Sequence, residues 1–477
     1  MDGASRSVAA TVTIVVSAAI CLVVIAVMVV ASRTGYNVDA ADPRQRTREQ
    51  DAKVMSSAIT AVAASQVWVV VGAGLTGMSC IRRLSAVVRE GVTIRESSKR
   101  VGGRTTSTAQ AVTPVSTETS PWEFGAWAYR PFAHPEVSAL LSELDVASVS
   151  IELATQSTFI WTRDGKKPYG VLPPPPAVPT LDNGNGNNSD NDQVTWFAHT
   201  GVWPRDVPRV DVAVLRDMDM PKTALLPVGF GWQDVVLRGI GTVPVLYGRL
   251  LCRVDVLPAT SQRRIKLTYA SGNTEDVDGA ILTLPPPAMA ALDNLPRAVT
   301  ACIADAFTTA SAGVLYATWT SMDVWWLKAG FLNGVVASYL PIGRVCVTAP
   351  NDLRCVMSGA TDVQYWNDLF VSKGERATAS AVAQQMSETF GVAVPLPANV
   401  SFKGWMNAAS LWTTGTDRVA ARRLLTRPWG PDVPVWWACS DLSDEPAWAQ
   451  GAVSAGATVA RDVSEFVSDY ALRATRL

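Results

Sequence analysis

Closely spaced metal ligands are missing from this sequence. Its 477 residues include two histidines, His134 and His199, and seven cysteines among which no CxxC pair occurs. Structural zinc sites use clustered cysteine and histidine, so we expect no metal site. The cysteines lie far apart, and apolar neighbours such as those of Cys346 favour reduced, buried thiols over a disulfide framework.

An excess of charge of one sign is also missing. The chain has 41 basic and 42 acidic residues and no long run of either sign. Binding to nucleic acid requires a clustered basic surface, so we expect no nucleic-acid partner. A hydrophobic fraction of 48% excludes wholesale disorder. The length exceeds what one core supports, and the sequence therefore predicts at least two packed units.

One long hydrophobic run is present near the start of the chain. Residues 8–31 carry no charge and, as a helix, would cross a bilayer core of about 30 Å. A cleaved signal peptide is the alternative, but its apolar region normally runs about 7–15 residues. We therefore expect a single-pass N-terminal membrane anchor at residues 1–31, followed by a polar stalk at residues 32–64.

The orientation of this anchor is predicted from its flanking charges. Arg6 alone precedes the run, whereas the residues that follow it are richer in arginine and lysine, as at Arg33 and Arg44. The positive-inside tendency then places the catalytic body in the cytosol. Glycosylation sequons at Asn187 and Asn399 favour the opposite orientation weakly.

A strand, a helix and a second strand are predicted around a glycine-rich turn. Residues 67–71 are a β-branched run, residues 78–88 have helical character, and residues 92–94 are apolar again. The first run leads directly into Gly-Ala-Gly-Leu-Thr-Gly at residues 72–77, and Glu96 follows the second run. This order of elements is that of a dinucleotide-binding βαβ unit.

Each residue type in this motif has a separate task. Gly72 permits a tight turn, Gly74 lets backbone amides approach a pyrophosphate, and Gly77 allows close helix packing. The positive N-terminus of the helix attracts the phosphates, and Glu96 accepts hydrogen bonds from a ribose diol. The predicted dinucleotide-binding residues are Gly72, Gly74, Leu75, Thr76, Gly77 and Glu96.

The segment that follows distinguishes FAD from NAD. Residues 97–105 read Ser-Ser-Lys-Arg-Val-Gly-Gly-Arg-Thr, which resembles the flavin-containing amine oxidases, where a GGR(T/S) segment follows the ribose-binding acid. The resemblance implies FAD, with Arg104 and the amides of Gly102 and Gly103 at its phosphates and ribityl side. Lys99 and Arg100 are expected in solvent.

Further segments extend this resemblance over residues 65–467. They are Glu-Phe-Gly-Ala-Trp at 123–127, Pro-Val-Gly-Phe-Gly at 227–231, the strand at 278–285, and a closing motif at 437–441 and 448–456. In the family the first passes under the isoalloxazine, and the closing helix directs its positive end at the flavin N1–C2=O edge. The further cofactor-binding residues implied are Gly125, Ala126, Trp127, Leu251, Ser440, Asp441, Gly451, Ala452 and Val453.

The resemblance implies an α/β protein in which two domains alternate along the chain. A Rossmann-like FAD-binding domain comprises residues 65–130, 222–297 and 420–467. An α+β substrate domain comprises residues 131–221, with an Asn/Gly-rich loop at 181–192, and residues 298–419. Residues 468–477 form a tail.

The chain departs from the family pattern at several positions. Family members usually have Ala-Gly-Glu where this chain has Ala-Cys-Ser at 438–440, so a ribityl hydrogen bond is lost or moves to Asp441. Many amine oxidases carry a lysine about ten residues before an aromatic pair of the substrate domain. Counting back from Trp325 and Trp326 reaches Leu315 or Tyr316, and no lysine lies there.

The aromatic pair that encloses the amine in monoamine oxidases is incomplete. Trp448 fits its second position, and Trp412 is an offset partner. The cysteine that links FAD in some relatives would fall near Thr413 or Thr414, so we expect noncovalent FAD. The candidate catalytic residues are Trp448, Trp412 and Tyr316.

The resemblance implies hydride transfer from a C–H beside a neutral amine to flavin N5, with reoxidation by O2 to give H2O2. Two alternatives stay open. One is a desaturase or oxidase of a lipophilic carotenoid- or porphyrin-type substrate, which the membrane anchor and the missing lysine favour. The other is a catalytically degenerate flavin-binding protein at the membrane, suggested by the altered segment at 438–440.

Overall fold

The structure is a computed structural model that describes residues 66–108, 121–152, 159–162, 165–168, 223–227, 231–258, 260–261, 263–320, 325–331, 335–349 and 351–474. Residues Gln66–Glu465 form one compact unit, and the described residues 466–474 belong to a second unit and are helical. The predicted anchor, stalk and loop at 181–192 lie outside the described residues. Within the described ranges, no helix combines the length and apolarity that spanning a bilayer requires.

The strands, in chain order, are β1 (Trp68–Val71), β2 (Val92–Arg95), β3 (Ser107–Thr108), β4 (Trp122–Glu123), β5 (Ser148–Glu152), β6 (Phe159–Thr162), β7 (Gly165–Pro168), β8 (Thr223–Pro227), β9 (Val245–Leu246), β10 (Leu251–Val256), β11 (Ile265–Tyr269), β12 (Thr274–Val277), β13 (Gly279–Leu282), β14 (Phe307–Thr318), β15 (Val335–Ser338), β16 (Arg344–Ala349), β17 (Asp352–Ser358), β18 (Asn399–Trp412) and β19 (Val435–Trp437).

The α-helices are α1 (Leu75–Arg83), α2 (Ala86–Glu90), α3 (Pro135–Glu143), α4 (Trp232–Ile240), α5 (Pro286–Ala290), α6 (Arg297–Ala306), α7 (Trp325–Lys328), α8 (Ala360–Asp368), α9 (Gly374–Phe390), α10 (Arg418–Thr426) and α11 (Ala449–Ala474). A π-helical turn, Leu369–Lys373, joins α8 to α9, and a 3-10 turn, Ser440–Leu442, follows β19.

A five-stranded parallel sheet has the order β19-β13-β1-β2-β9. Every residue of β1 and β13 is buried, which explains their continuous apolar sequence, because parallel strands are covered on both faces. The predicted α/β class with a Rossmann-like sheet is confirmed. The helix predicted at 78–88 is wrong in its bounds, since the chain is extended at Leu84 and Ser85 and divides it into α1 and α2.

A seven-stranded mixed sheet has the order β18-β14-β17-β16-β15-β6-β7. Helices α8 and α9 pack on one of its faces, where Leu315, Leu353 and Trp366 share an apolar core with Met386. A separate antiparallel sheet contains β10, β11 and β12. The domain boundaries stay predictions, but the two larger sheets provide the walls of the site described below.

Close packing of α1 depends on two glycines. A Cβ atom at Gly77 would lie 2.1 Å from the carbonyl oxygen of Gly72, and one at Gly456 would lie 2.4 Å from that of Thr76. The Oγ of Ser79 donates a hydrogen bond to the carbonyl oxygen of Val453 at 2.6 Å. Gly77 therefore sets the turn between β1 and α1, and Gly456 sets the approach of α11 to α1.

We predict that Gly77→Ala destabilises the apo-protein by roughly 1–3 kcal/mol, the usual cost of overpacking. Gly74→Ala is the matched control, because a Cβ there would be 3.6 Å from its nearest neighbour, the carbonyl oxygen of Gly102. Urea denaturation of flavin-free protein measures both changes. Equal stability of the two variants would contradict the packing role assigned to Gly77.

Candidate functional site

A cavity of about 390 Å³ lies where the parallel sheet and the seven-stranded sheet meet. Residues from widely separated parts of the sequence form its wall. Thirteen of the residues predicted from the sequence line it: Gly72, Gly74, Leu75, Thr76, Glu96, Gly102, Gly103, Arg104, Gly125, Ala126, Ser440, Trp448 and Ala452.

The glycine-rich turn opens one end of the cavity. Gly72 and Gly102 have φ angles of 114° and 109°, which residues with a Cβ atom rarely adopt. The amide of Gly102 donates to the carbonyl oxygen of Ala73 at 2.8 Å and so holds the two loops together. Helix α1 has no side-chain cap and no acidic residue in its first turn, which leaves its amides and its dipole for an anion.

The carboxylate of Glu96 is held in place beside this turn. Its Oε2 accepts the amide of Ala73 at 2.9 Å, and its Oε1 accepts the amide of Ser98 at 2.8 Å. The residue is buried and lines the cavity. Oε1 also accepts a long hydrogen bond from Ser97 Oγ at 3.4 Å, which a ribose hydroxyl could replace, and Oε2 has a further lone pair for a second hydroxyl.

The expectation that Arg100 lies in solvent is wrong. Its guanidinium donates to the carbonyl oxygens of Val101, Gly103 and Thr105 at 2.8–3.0 Å, and so satisfies backbone acceptors of the loop. Arg100 therefore stabilises the 101–105 loop. Lys99 is exposed, as expected.

Arg104 lines the cavity, but its guanidinium is paired with protein groups. Its Nη1 and Nη2 donate to the two carboxylate oxygens of Asp441 at 2.9 and 2.6 Å, and Nη2 also donates to Ser440 Oγ at 2.7 Å. Burial lowers the pKa of Arg104, but the charge and the hydrogen bond of Asp441 outweigh it and raise the pKa. Asp441 is fully buried and lies outside the cavity lining, so the expected transfer of a ribityl contact to Asp441 is not found.

Three predicted residues at helix interfaces serve packing. Gly77 and Val453 contact neighbouring elements as described above. A Cβ at Gly451 would lie 2.2 Å from Ser443 Oγ and 2.3 Å from the carbonyl oxygen of Glu445, so this glycine lets α11 start close to the 443–445 loop. In α11 it is Ala449 and Ala452 that face the cavity.

Trp412, Tyr316 and Leu251 do not line the cavity. Trp412 is fully buried, packs against Phe307 with ring centroids 4.5 Å apart, and donates from Nε1 to the carbonyl oxygen of Ser443. The ring of Tyr316 stacks on Trp122, with centroids 5.3 Å apart. Leu251 belongs to the core that includes the parallel sheet. These three predictions are corrected, because the three side chains pack against other apolar residues and do not face the cavity.

The second tryptophan of the cavity wall is Trp405, which sequence reasoning missed. It lines the cavity together with Trp448, and its Nε1 donates to the carbonyl oxygen of Phe124 at 2.6 Å. Its position on β18 gives it this orientation. The alternation of side chains along the strand before Trp412 could have indicated it. Without the pairing register, however, the alternation does not show which face of the strand points into the cavity.

Other lining residues were also missed. Thr283, Leu284 and Pro285 follow β13, the strand that the sequence had already marked, and Thr283 Oγ1 donates to the carbonyl oxygens of Val71 and Gly72 at 2.9 and 3.1 Å. Carboxyl ends of parallel strands are where such folds bind ligands, which was a usable signal. No comparable signal marked Cys439, Arg344 and Arg354, which also line the cavity.

The cavity face of β14 carries no lysine. Ala310, Ala312 and Val314 line the cavity, whereas Leu315 packs in the core beneath α8 and α9. Tyr316 lies on the same face as Val314 but is covered by Trp122. None of the residues of β14 that line the cavity is therefore the lysine that many amine oxidases carry.

A buried polar cluster lies behind the 123–127 segment. Burial raises the pKa of Glu123 to about 8; its carboxylate accepts the amide of Trp232 at 2.7 Å and the hydroxyl of Ser107 at 2.9–3.0 Å. Trp127 does not line the cavity, but its ring lies 4.3 Å from the guanidinium carbon of Arg354. This segment therefore supports the cavity wall mainly from behind.

The residues at this site fit a dinucleotide cofactor. A fixed carboxylate, Glu96, with a spare lone pair on Oε2, lies at one side of an uncapped helix N-terminus. Gly74 presents no side chain between them, and even an added Cβ would meet only ordinary contacts. In Rossmann-like folds a carboxylate accepts hydrogen bonds from the ribose hydroxyls, and backbone amides at the helix N-terminus donate to the pyrophosphate.

Comparison with known proteins gives consistent results. The model of the family "Flavin containing amine oxidoreductase" matches residues 232–464, and that of the "NAD(P)-binding Rossmann-like domain" matches residues 70–144. Two putrescine oxidase structures, a single and a double mutant from a redesign of cofactor binding, align with TM-scores of 0.58 and 0.57. Each is 15% identical and covers 83% of this chain and 98% of its own. No curated protein matches the chain.

At this identity the putrescine oxidase structures show the fold alone. The family models add sequence evidence over the glycine-rich turn and over the chain from α4 to α11. Together with the cavity formed by these parts, they establish that the chain belongs to the flavin-containing amine oxidoreductase superfamily and is an FAD-dependent oxidoreductase.

Proposed function

We propose that this oxidoreductase holds FAD noncovalently in the cavity and oxidises an amine, with O2 as electron acceptor. One observation carries the proposal. The glycine-rich turn, Glu96 and the start of α11 line the same cavity as residues of the seven-stranded sheet. FAD, when bound, would take a hydride from the C–H beside the amine and pass the electrons to O2, giving H2O2.

The residues around the cavity would bind and orient. Amides at the start of α1 would receive the pyrophosphate, and Glu96 would accept the ribose hydroxyls. Trp405 and Trp448 supply flat apolar walls that exclude water from the substrate. The small side chains of β14, such as Ala312, leave room between these walls for a flat group.

A protein base is not needed in this arrangement. Among the described lining residues the ionisable groups are Glu96, Arg104, Arg344, Arg354 and Cys439. Burial lowers the pKa of His134 to about 4, and this side chain lies behind Trp448, with ring centroids 4.8 Å apart. The substrate amine would therefore enter the site as the free base and give up its C–H hydrogen without a protein proton acceptor.

The experiment that tests this function is anaerobic mixing of the purified flavoprotein with amines, amino acids and polyenes, followed by peroxide assay in air. We expect nitrogen substrates to bleach the flavin. Because the amine must be neutral, kcat/KM should rise with pH and level off near each substrate's own amine pKa, which ranges from about 8 to about 10.4. A single pKa near 8 for all substrates would instead indicate a protein group such as Glu123. Bleaching by polyenes alone would contradict amine oxidation.

Noncovalent binding is supported by the only described cysteine that lines the cavity. Burial raises the pKa of Cys439 well above its usual value, and the neutral thiol is a poor nucleophile. Acid precipitation should therefore release all the flavin into the supernatant, and yellow colour in the pellet would contradict the proposal.

The ribose site has its own test in the apo-protein. Glu96→Gln removes the charge and keeps the shape, so we expect FAD affinity to fall by about 5- to 150-fold, equivalent to roughly 1–3 kcal/mol. Lys99→Gln is the matched control, since Lys99 is exposed beside the same loop. Flavin fluorescence titration compares them. Wild-type affinity in Glu96→Gln would move the ribose site elsewhere.

We further propose that residues 8–31 anchor the protein in a membrane with the catalytic unit on the cytosolic side. The uncharged run and the basic residues after it support this proposal. Full-length protein should resist carbonate extraction, and a variant that starts near residue 55 should be released and still bind FAD. Release of the full-length chain by carbonate would exclude the anchor.

A further inference from the structure

Two arginines on neighbouring strands face the cavity. Arg344 lies on β16 and Arg354 on β17, and the antiparallel register pairs Arg344 with Val356 and Cys346 with Arg354. Paired residues project from the same face of a sheet. Arg344, Arg354 and Val356 all line the cavity, so two arginines belong to the part of its wall that the seven-stranded sheet forms.

Arg354 is almost completely buried, with 5% of its surface exposed. Its guanidinium stacks over Trp127 and interacts with the thiol of Cys346, but it forms no ion pair within the described part of the chain, and its Nε is buried without a hydrogen-bond partner. A cation–π contact recovers less than the hydration that a buried guanidinium loses. The protein therefore has a buried cation that no carboxylate of the described residues contacts directly.

The nearby acid does not form an ion pair with this cation. Glu123 directs its carboxylate at the amide of Trp232 and the hydroxyl of Ser107, and it interacts with Arg354 only through the longer-range attraction of the two charges. Its pKa of about 8 leaves it mostly protonated at neutral pH. The position of Arg354 therefore suits an anion that a bound ligand would supply.

We propose that Arg354, assisted by Arg344, binds a carboxylate of the substrate, so that the amine oxidised by this protein is an amino acid. The inference rests on the proposed function and specifies its substrate class. A planar guanidinium fork matches a carboxylate and binds it through two parallel hydrogen bonds. A diamine would instead bring a second cation to these arginines, which like-charge repulsion disfavours.

The arginines belong to a part of the wall separate from the dinucleotide-binding groups. Glu96 and the start of α1 follow strands of the parallel sheet, whereas Arg344 and Arg354 lie within strands of the seven-stranded sheet. Loss of Arg354 should therefore leave FAD affinity unchanged. A loss of FAD affinity in the variant would mean that Arg354 holds the cofactor, and it would overturn the substrate assignment.

The main experiment compares substrates that differ by one carboxylate. Ornithine with putrescine, lysine with cadaverine, and phenylalanine with phenethylamine are mixed anaerobically with the holoenzyme, and the rate of flavin bleaching is measured. We expect the amino acid of at least one pair to reduce the flavin faster. Faster reduction by the decarboxylated amine in every pair would overturn the inference and leave the proposed function intact.

Variants then connect the preference to Arg354. Arg354→Gln should raise KM for the amino acid by roughly 10- to 100-fold, change the amine little, and be partly rescued in Arg354→Lys. Because no ion pair of this guanidinium supports the fold, both variants should remain folded. Arg376→Gln, at an exposed arginine of α9, is the matched control and should behave as wild type. An unchanged KM in Arg354→Gln would overturn the assignment.

A binding measurement separates this inference from the proposed function. Benzoate and benzylamine are titrated into the oxidised holoenzyme, and the perturbation of flavin absorption is recorded. We expect benzoate to bind to wild type and to lose at least ten-fold in affinity in Arg354→Gln. If no nitrogen compound bleaches the flavin, the proposed function fails, and benzoate binding that depends on Arg354 still supports a carboxylate site. Benzoate that binds neither protein, or both equally, would overturn it.

Discussion

The ion pair between Arg104 and Asp441 is the contact on which the rest of the cavity depends. It joins the loop after β2 to the segment after β19, which lie 337 positions apart. Asp441 Oδ1 also accepts the amide of Ser410 at 2.7 Å, and Arg104 Nη1 donates to the carbonyl oxygen of Ala408 at 3.1 Å. The last residues of β18 are thereby fixed to both segments. Because Asp441 is fully buried, loss of Arg104 would leave an uncompensated charge, which typically costs about 3–5 kcal/mol.

The same pair gives a physical reason for the departure at 438–440. Ser440 stands where related chains have a glutamate, and its hydroxyl accepts a hydrogen bond from Arg104 at 2.7 Å. A short side chain there lets the guanidinium reach Asp441 with both nitrogens. The arginine is thus committed to holding the wall together. When FAD is bound, its phosphates and ribityl chain would be left to the amides of the glycine-rich loops and the helix termini, which offer fixed dipoles rather than a mobile charge.

The sequence predicted the parts of the site that local geometry determines. The turn at 72–77, Glu96 and the 102–104 loop all line the cavity because strand, turn and helix follow one another directly. Residues whose orientation depends on the register between distant strands were harder to predict. On β14, counting from Trp325 and Trp326 reached Leu315 or Tyr316, but a shift of one residue reverses the face of a strand. Two positions along the same face separate Val314, which lines the cavity, from Tyr316, which Trp122 covers. Trp412 is likewise core because β18 pairs it with Phe307.

The charges around the cavity also account for a site without a protein base. Arg344 and Arg354 bring positive charge to the part of the cavity wall that the seven-stranded sheet forms, whereas Glu96 lies at the glycine-rich turn and Arg104 is paired with Asp441. A positive environment disfavours a protonated amine and lowers its pKa. The carboxylate of a substrate that pairs with Arg354 would balance one of these positive charges. The nitrogen of the same substrate would then lie near the remaining positive charge. The feature that binds the acid group of the substrate would then also favour the neutral amine that hydride transfer requires.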